Sequence, residues 1–417
     1  MTTAPWRDPA LPAAARVDDL LARMTLEEKT AQLYGVWVGA DTDGEGVAPH
    51  QHDMTSDYDW DELIALGLGQ LTRPFGTAPV DPDLGTQALA RAQRRIAAAG
   101  RFGIPAVAHE ECLAGFTAWQ ATAYPVPLAW GAAFHPELVE EMARRIGRDL
   151  RSVGVHQGLA PVLDVVRDPR RGRVEETIGE DPYLVGTIGT AHVRGLESAG
   201  VVATLKHFAG YASSAGARNL APVRAGVREF ADVTLPPFEM ALREGGARSV
   251  MAAYTETDGV PASADPALLT RLLREEWGFT GTVVADYFGI GFLENLHRVA
   301  APPAEAAHAA LLAGIDVELD GQPVATDSKR HRCTARVTRS PSGSGSSGRS
   351  ASYGASHQVM TRTRSCGARK VSRRTGAGSA GSPRTCSPAQ ASSSSPRPDT
   401  ARASHINATV TSTGSPC

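Results

Sequence analysis

Cysteine is nearly missing from the first 320 residues of this 417-residue chain: Cys112 stands alone there, and Cys333, Cys366, Cys386 and Cys417 follow later. None of the five forms a CxxC pair, so the spacing suggests neither a zinc site nor a disulfide framework. Apolar runs of roughly 18 residues are absent, and the opening MTTAPWRDPALPAAARVDDLL has neither a basic leader nor an apolar core. These absences predict no membrane span, no secretory signal and a cytoplasmic location. Within the first 320 residues GxGxxG and GxxxxGK[ST] are also missing, which removes from that part the glycine-rich phosphate cradles that nucleotide-binding folds carry.

The formal net charge of −3 conceals an uneven distribution. Residues 321–417 hold 15 Lys and Arg against Asp327 and Asp399, so residues 1–320 hold 27 against 43 Asp and Glu, a net charge of −16. An acidic body argues against a surface that tracks phosphates, and no nucleic-acid partner is expected for it.

What is present, up to about residue 320, is an alternation of short apolar runs with helix-period segments, the mark of an α/β fold. Predicted strands are IPAVAHE (104–110), GLAPVLDVV (158–166), VVATLKHFAG (201–210), SVMAAYT (249–255), GTVVADY (281–287) and GIDVEL (314–319). Helices are predicted for PELVEEMARRIGRDLRSVG from Pro136 and for DPALLTRLLREEWGF, where Asp265 is placed as N-cap and Pro266 at the first helical position. Polar residues gather at the carboxyl ends of several strands: His109, Glu110 and Glu111; Asp164 and Arg167; Lys206 and His207; Tyr254 and Glu256; Asp286. A doubly wound sheet concentrates its site near one switch point, whereas a (β/α)8 barrel draws on the rim of many strands. The expected fold is therefore a (β/α)8 TIM-like barrel over residues 1–319, incomplete at its C-terminal end.

From residue 320 to the end there is no Leu, Phe or Trp, and Ser, Arg, Thr, Gly, Ala and Pro dominate. Such a segment buries too little apolar area to offset its ordering entropy, which predicts a disordered tail over 320–417. Two origins are open: an Arg/Ser-rich RNA-binding tail, or the out-of-frame translation of a GC-rich gene.

Asp286 closes a strand whose other residues are apolar, and it either caps the next segment or acts on a ligand. Lys206 and His207 are adjacent, so both face one pocket only where the strand ends or twists. With Arg167 they make a donor-rich rim opposed by Asp286 and Glu111. Donors and carboxylates converging suit a neutral polyol, since each hydroxyl both donates and accepts. The charged turn RDPRRGRVEETIGEDP (167–182) follows a strand and so lies over the mouth, with Glu175 and Glu176 anchoring it.

The ordered series GIPAVAHEECLAGF, YPVPLAWGAAFHPELV, APVLDVVRDPRRGRVEETIGEDPYLV, TLKHFAGY, SVMAAYTETDGVPASADPALLTRLLREEWGFTGTVVADY and AGIDVEL resembles the N-terminal barrel domain of glycoside hydrolase family 3, the β-glucosidase and β-xylosidase family. The resemblance implies a retaining exo-β-glycosidase of carbohydrate metabolism, releasing terminal β-D-glucosyl or β-D-xylosyl units from small glycosides or oligosaccharides without metal or cofactor. It implies Asp286 as nucleophile, and Lys206, His207 and Arg167 as donors to sugar hydroxyls. Tyr254 and Met251 fall beside the nucleophile, and Glu111 falls where glucosidases carry an Asp that binds the hydroxyls farthest from the anomeric carbon. Positive charge at Lys206 and Arg167 is expected to lower the pKa of Asp286.

Three departures from the family pattern bear on these expectations. Arg171 stands where the family shows Trp in RDPRWGR, a change expected to disturb the loop that presents Arg167. Glu111 is one methylene longer than the glucosidase Asp, which resembles the xylosidase branch. The acid/base Glu of the family comes from a second domain, and recognisable sequence ends at Leu319, so the alternative is a truncated, catalytically impaired sugar-binding barrel. Glu110 and Glu176 are the stand-ins for that acid within the barrel. The single-domain N-acetylglucosaminidase branch, with its His-Asp loop after the Lys-His strand, is disfavoured because FAGYASSAGARN, which follows Lys206 and His207, has neither residue.

Overall fold

Val283 and Val284 are consecutive in sequence and both fully buried in the computed structural model, which describes residues 4–37 and 59–319. Burial on both faces is what parallel strands under a layer of helices require, and it explains the unbroken apolar runs. The strands are β1 (Gly35–Trp37), β2 (Gln70–Thr72), β3 (Val107–Glu110), β4 (Gln157–Gly158), β5 (Val202–Phe208), β6 (Ser249–Ala252), β7 (Glu256–Thr257), β8 (Val260–Pro261), β9 (Thr282–Ala285) and β10 (Val317–Glu318). Eight of them pair in the order β1-β2-β3-β4-β5-β6-β9-β10, each neighbour parallel, while β7 and β8 form a small antiparallel hairpin above β6 in the chain. A parallel bridge between Tyr34 and Glu318, with the Glu318 amide donating to the Leu33 carbonyl at 3.0 Å, closes the sheet into a (β/α)8 barrel. Gly35 sits at this seam, where a Cβ would run into the Leu319 carbonyl oxygen.

Helices follow the strands. Those that come after strands include α1 (Pro82–Ala99), α2 (Pro136–Ser152), α3 (Pro182–Ser198), α4 (Pro236–Arg243), the π-wound α5 (Ala267–Glu276) and α6 (Pro303–Ala313). α2 buries Val139, Ala143, Ile146, Gly147 and Leu150, one stripe at helical spacing. It lies against the small residues of α3, so closely that a Cβ on Gly195 would stand 2.6 Å from the Ala143 Cβ. Asp265 caps α5 as expected, its Oδ1 accepting from the Ala267 and Leu268 amides at 2.8 and 3.3 Å.

Inside the barrel, Leu159, Met251, Val284, Val317 and Leu319 pack together beneath Tyr287. Below them the interior turns polar: the Gln157 amide donates to Thr204 Oγ1 at 2.9 Å and to Ser249 Oγ at 3.1 Å.

Two barrel strands, and the small β7–β8 hairpin, escaped the sequence reading. β1 and β2 are only three residues each, and in β2 Gln70 and Thr72 place polar side chains on buried positions. The strand predicted over 158–166 pairs as a ladder only at Gln157–Gly158, because Pro161 has no amide to donate; the chain nonetheless continues beside β5 through Leu163 N–H to Lys206 O at 2.7 Å. The predicted disordered tail, with its four cysteines, lies outside the described residues. Among those residues no helix is long and apolar enough to cross a membrane.

Candidate active site

β9 alternates its side chains, so Asp286, two residues past Val284, points toward the barrel axis at the carboxyl end. Its residue is 6% exposed, its Oδ1 accepts from the Tyr287 amide at 2.8 Å, and His207 Nε2 stands 3.8 Å from Oδ2. Burial raises the Asp286 pKa above the usual carboxylate value, and the opposing pull of His207, Lys206 and the Tyr287 amide does not cancel it. This corrects the expected direction. Lys206 acts as foreseen, but the desolvation of a nearly enclosed carboxyl outweighs it, and Arg167 is not among the groups that act on it.

Lys206 and His207 do share the mouth. Leu205 pairs with Val250 and Phe208 with Ala252, so β5 spends three steps where β6 spends two, and this irregularity lets adjacent side chains turn to one side. Lys206 Nζ meets Glu111 Oε2 at 2.7 Å, with Lys206 buried and Glu111 partly open to solvent. His207 Nδ1 lies 2.8 Å from Asp164 Oδ2. Burial works against charge on Asp164, but His207, Arg171 and Arg173 together hold its carboxyl below the usual range. An ionised Asp164 can only accept, so His207 Nδ1 carries the hydrogen and Nε2 faces Asp286.

The other foreseen residues divide. Tyr254 donates its hydroxyl to the Tyr287 carbonyl at 2.7 Å, and burial, with the Asp286 charge beside it, pushes its pKa well up. Met251 lies under the site as packing in the inner core. Arg167 does not join the cluster: its side chain is 43% exposed and its Nε stands 3.9 Å from Glu229 Oε1. The residue placed there instead is Arg171, the departure from the family pattern. It is buried, stacks over the Tyr211 ring at 4.3 Å, donates to the Tyr211 carbonyl at 2.7 Å and faces Asp164 at 3.7 Å. Arg171 thus ties the loop to Tyr211 and Asp164, while Arg167 is left outside the cluster. Arg173, 5.6 Å from the same ring, grips Glu176 through two bonds of 2.8 and 2.7 Å, the anchoring foreseen for that glutamate.

Sequence reasoning missed Arg171, Arg173, Tyr211 and Tyr287. Tyr287 packs on Trp37 with ring centroids 5.0 Å apart, and Tyr211 packs on His207 at 4.4 Å. Only the position of Tyr287 next to Asp286 could have signalled it. Glu110 belongs to the scaffold: its Oε1 accepts from the Phe75 and Gly76 amides at 2.6 and 3.1 Å, and burial pushes its carboxyl up to about 8. Among the described residues no group of three or more His, Cys, Asp or Glu is placed to hold a metal ion.

Comparison with known proteins agrees with this arrangement. Residues 25–335 match the Glycosyl hydrolase family 3 N terminal domain, of which 38–58 and 320–335 lie outside the described residues. A putative β-xylosidase of Formosa agariphila is 34% identical over 324 residues, covering 75% of this chain and 42% of that protein. A periplasmic β-glucosidase of Salmonella typhimurium is 31% identical, covering 73% and 37%. Among solved structures, a β-glucosidase from Erythrobacter marinus superposes with a TM-score of 0.69 at 37% identity, over 76% of this chain and 42% of that one. A mutant β-glucosidase of Listeria innocua, in complex with laminaribiose, gives 0.64 at 30% identity over 73% and 41%. The chain thus spans about two fifths of the length of the proteins it matches. By the family match, the barrel and the rim of charged residues at its carboxyl end, the chain belongs to glycoside hydrolase family 3.

Proposed function

We propose that this barrel carries the sugar-binding and nucleophilic part of a retaining exo-β-glycosidase acting on terminal β-D-glucosyl or β-D-xylosyl residues. The observation that carries the reading is the convergence of Asp286, the Lys206–Glu111 pair and the His207–Asp164 pair on one rim. The names of the relatives, β-xylosidase and β-glucosidase, support the same substrate class. Asp286 attacks the anomeric carbon, the glycosidic bond breaks, and the departing oxygen takes a proton from a second carboxyl group. Water then attacks the glycosyl ester and returns Asp286 as a carboxylate. Lys206 donates to a hydroxyl that gains acidity as the ring becomes oxocarbenium-like, so its contact strengthens in the transition state.

A second reading is favoured by one specific observation. The other rim carboxylates are each engaged, Glu111 by Lys206, Asp164 by His207, Glu176 by Arg173 and Glu110 by two backbone amides. The barrel then binds sugar and supplies the attacking carboxylate, while the acid comes from outside the described residues. A nitrophenyl glycoside separates the mechanism from the acid, because its leaving group departs with little protonation. Proton NMR of the first sugar released from nitrophenyl β-glucoside or β-xyloside is expected to show the β-anomer; the α-anomer as first product contradicts retention.

The pH dependence has a defined sign. Attack needs Asp286 ionised, so activity falls as pH drops through its raised pKa. Lys206 is one of the charges that lowers that pKa. Lys206→Ala is therefore expected to move the acid limb of kcat/KM to higher pH, by roughly one unit. A limb that stays in place or moves to lower pH removes Lys206 from this role.

A further inference from the structure

A cavity of about 760 Å³ opens at the amino-terminal end of the barrel, opposite the rim that carries Asp286. The first residues of seven of the eight barrel strands line it, Gln70, Gln157 and Ser249 among them. Barrels of this kind ordinarily fill that end with branched apolar side chains. Here Val107, the first residue of β3 and itself on the cavity wall, is 38% exposed.

The wall has spare hydrogen-bonding capacity. Gln157 uses its amide nitrogen on Thr204 and Ser249, and its Oε1 makes no bond within the described chain. Gln70 pairs its Oε1 with His109 Nδ1 at 2.7 Å, and its Nε2 makes none. Both glutamines are only 4% exposed, so one acceptor and one donor are held by side chains that cannot turn freely to bulk water. Trp277 and Phe279 supply aromatic surface on the same wall. The cations at the edge are already neutralised, Arg243 by Glu239 at 2.7 Å and Arg248 by Glu197 at 2.6 Å.

We propose that this cavity is a second binding site, for a neutral polyhydroxyl molecule of monosaccharide size. Its volume lies within the usual range for small-molecule pockets, roughly 300–1,000 Å³. Amides and a hydroxyl that each offer or accept one bond match alternating hydroxyls, and an aromatic wall matches the apolar face of a pyranose. An anion finds no uncompensated charge there. The inference does not rest on the catalytic reading, since it concerns the other end of the barrel.

The test is calorimetric titration of glucose, xylose and, as charged control, inorganic phosphate into the full chain carrying Lys206→Ala and Asp286→Ala, which weakens binding at the mouth so that the cavity substitutions decide where the remaining binding lies. Glucose or xylose is expected to bind still, and phosphate not. Adding Gln157→Leu is expected to weaken sugar binding about tenfold, the scale of one lost hydrogen bond to a buried group. Val107→Phe, which fills the cavity from an exposed position, is expected to do the same, with circular dichroism confirming that each variant is folded. No sugar binding in the doubly substituted chain, binding indifferent to both cavity substitutions, or preferential binding of phosphate overturns the proposal. Because no outcome is read through turnover, a chain that hydrolyses nothing can still pass.

Discussion

Asp286→Ala is expected to lower the rate of nitrophenol release from nitrophenyl β-glucoside or β-xyloside by on the order of 10⁴-fold, with sugar binding reduced far less. The scale is that of removing a nucleophile which acts as a unit with its neighbours. The split between rate and binding follows from position. Asp286 stands 3.8 Å from His207, in the same mouth as the Lys206–Glu111 pair, and those hydroxyl-binding groups stay in place when it is cut back. Release that survives the substitution at anything near the parent rate would show that another group attacks.

Asp164→Ala is expected to cost about 3–5 kcal/mol of stability, read as a fall of roughly 10 °C in the melting temperature. Asp164 is the shared partner of two buried groups, the His207 ring at 2.8 Å and the Arg171 guanidinium at 3.7 Å. The Arg171 side chain is 1% exposed, and its Nε already lacks a hydrogen-bond partner. Without Asp164 its charge is left with the Tyr211 carbonyl and ring, in a setting that water cannot repair. The same change releases His207 from its fixed tautomer, so activity falls even at temperatures where the variant is folded. A melting temperature within about 2 °C of the parent would mean that the pair contributes little.

These two residues also show what the sequence discloses. Asp286 was legible because it ends the apolar run TVVA, where an acid on a buried strand needs a reason. β3, β5, β6, β9 and β10 were legible for the same cause, strands covered on both faces. β1 and β2 were not, because at three residues each they are too short for a pattern, and β2 sets Gln70 and Thr72 on buried positions. Asp164 could be placed at a strand end, but its engagement with both His207 and Arg171 is a tertiary fact. The exchange of Arg167 for Arg171 has the same origin: both sit in one charged turn, and only the stacking of Arg171 on Tyr211 decides which guanidinium is buried. Local sequence marked the turn as lying over the mouth, and packing chose the residue.

The central claim is that Asp286 forms a bond to the sugar. It is tested most directly by incubating the chain with an activated 2-deoxy-2-fluoro-β-glycoside, whose fluorine slows breakdown of the ester, and sequencing the labelled peptide by mass spectrometry. One fluoroglycosyl unit is expected on Asp286, present without any general acid because the leaving group needs none, and absent from Asp286→Ala. A label on a different carboxylate would contradict the claim.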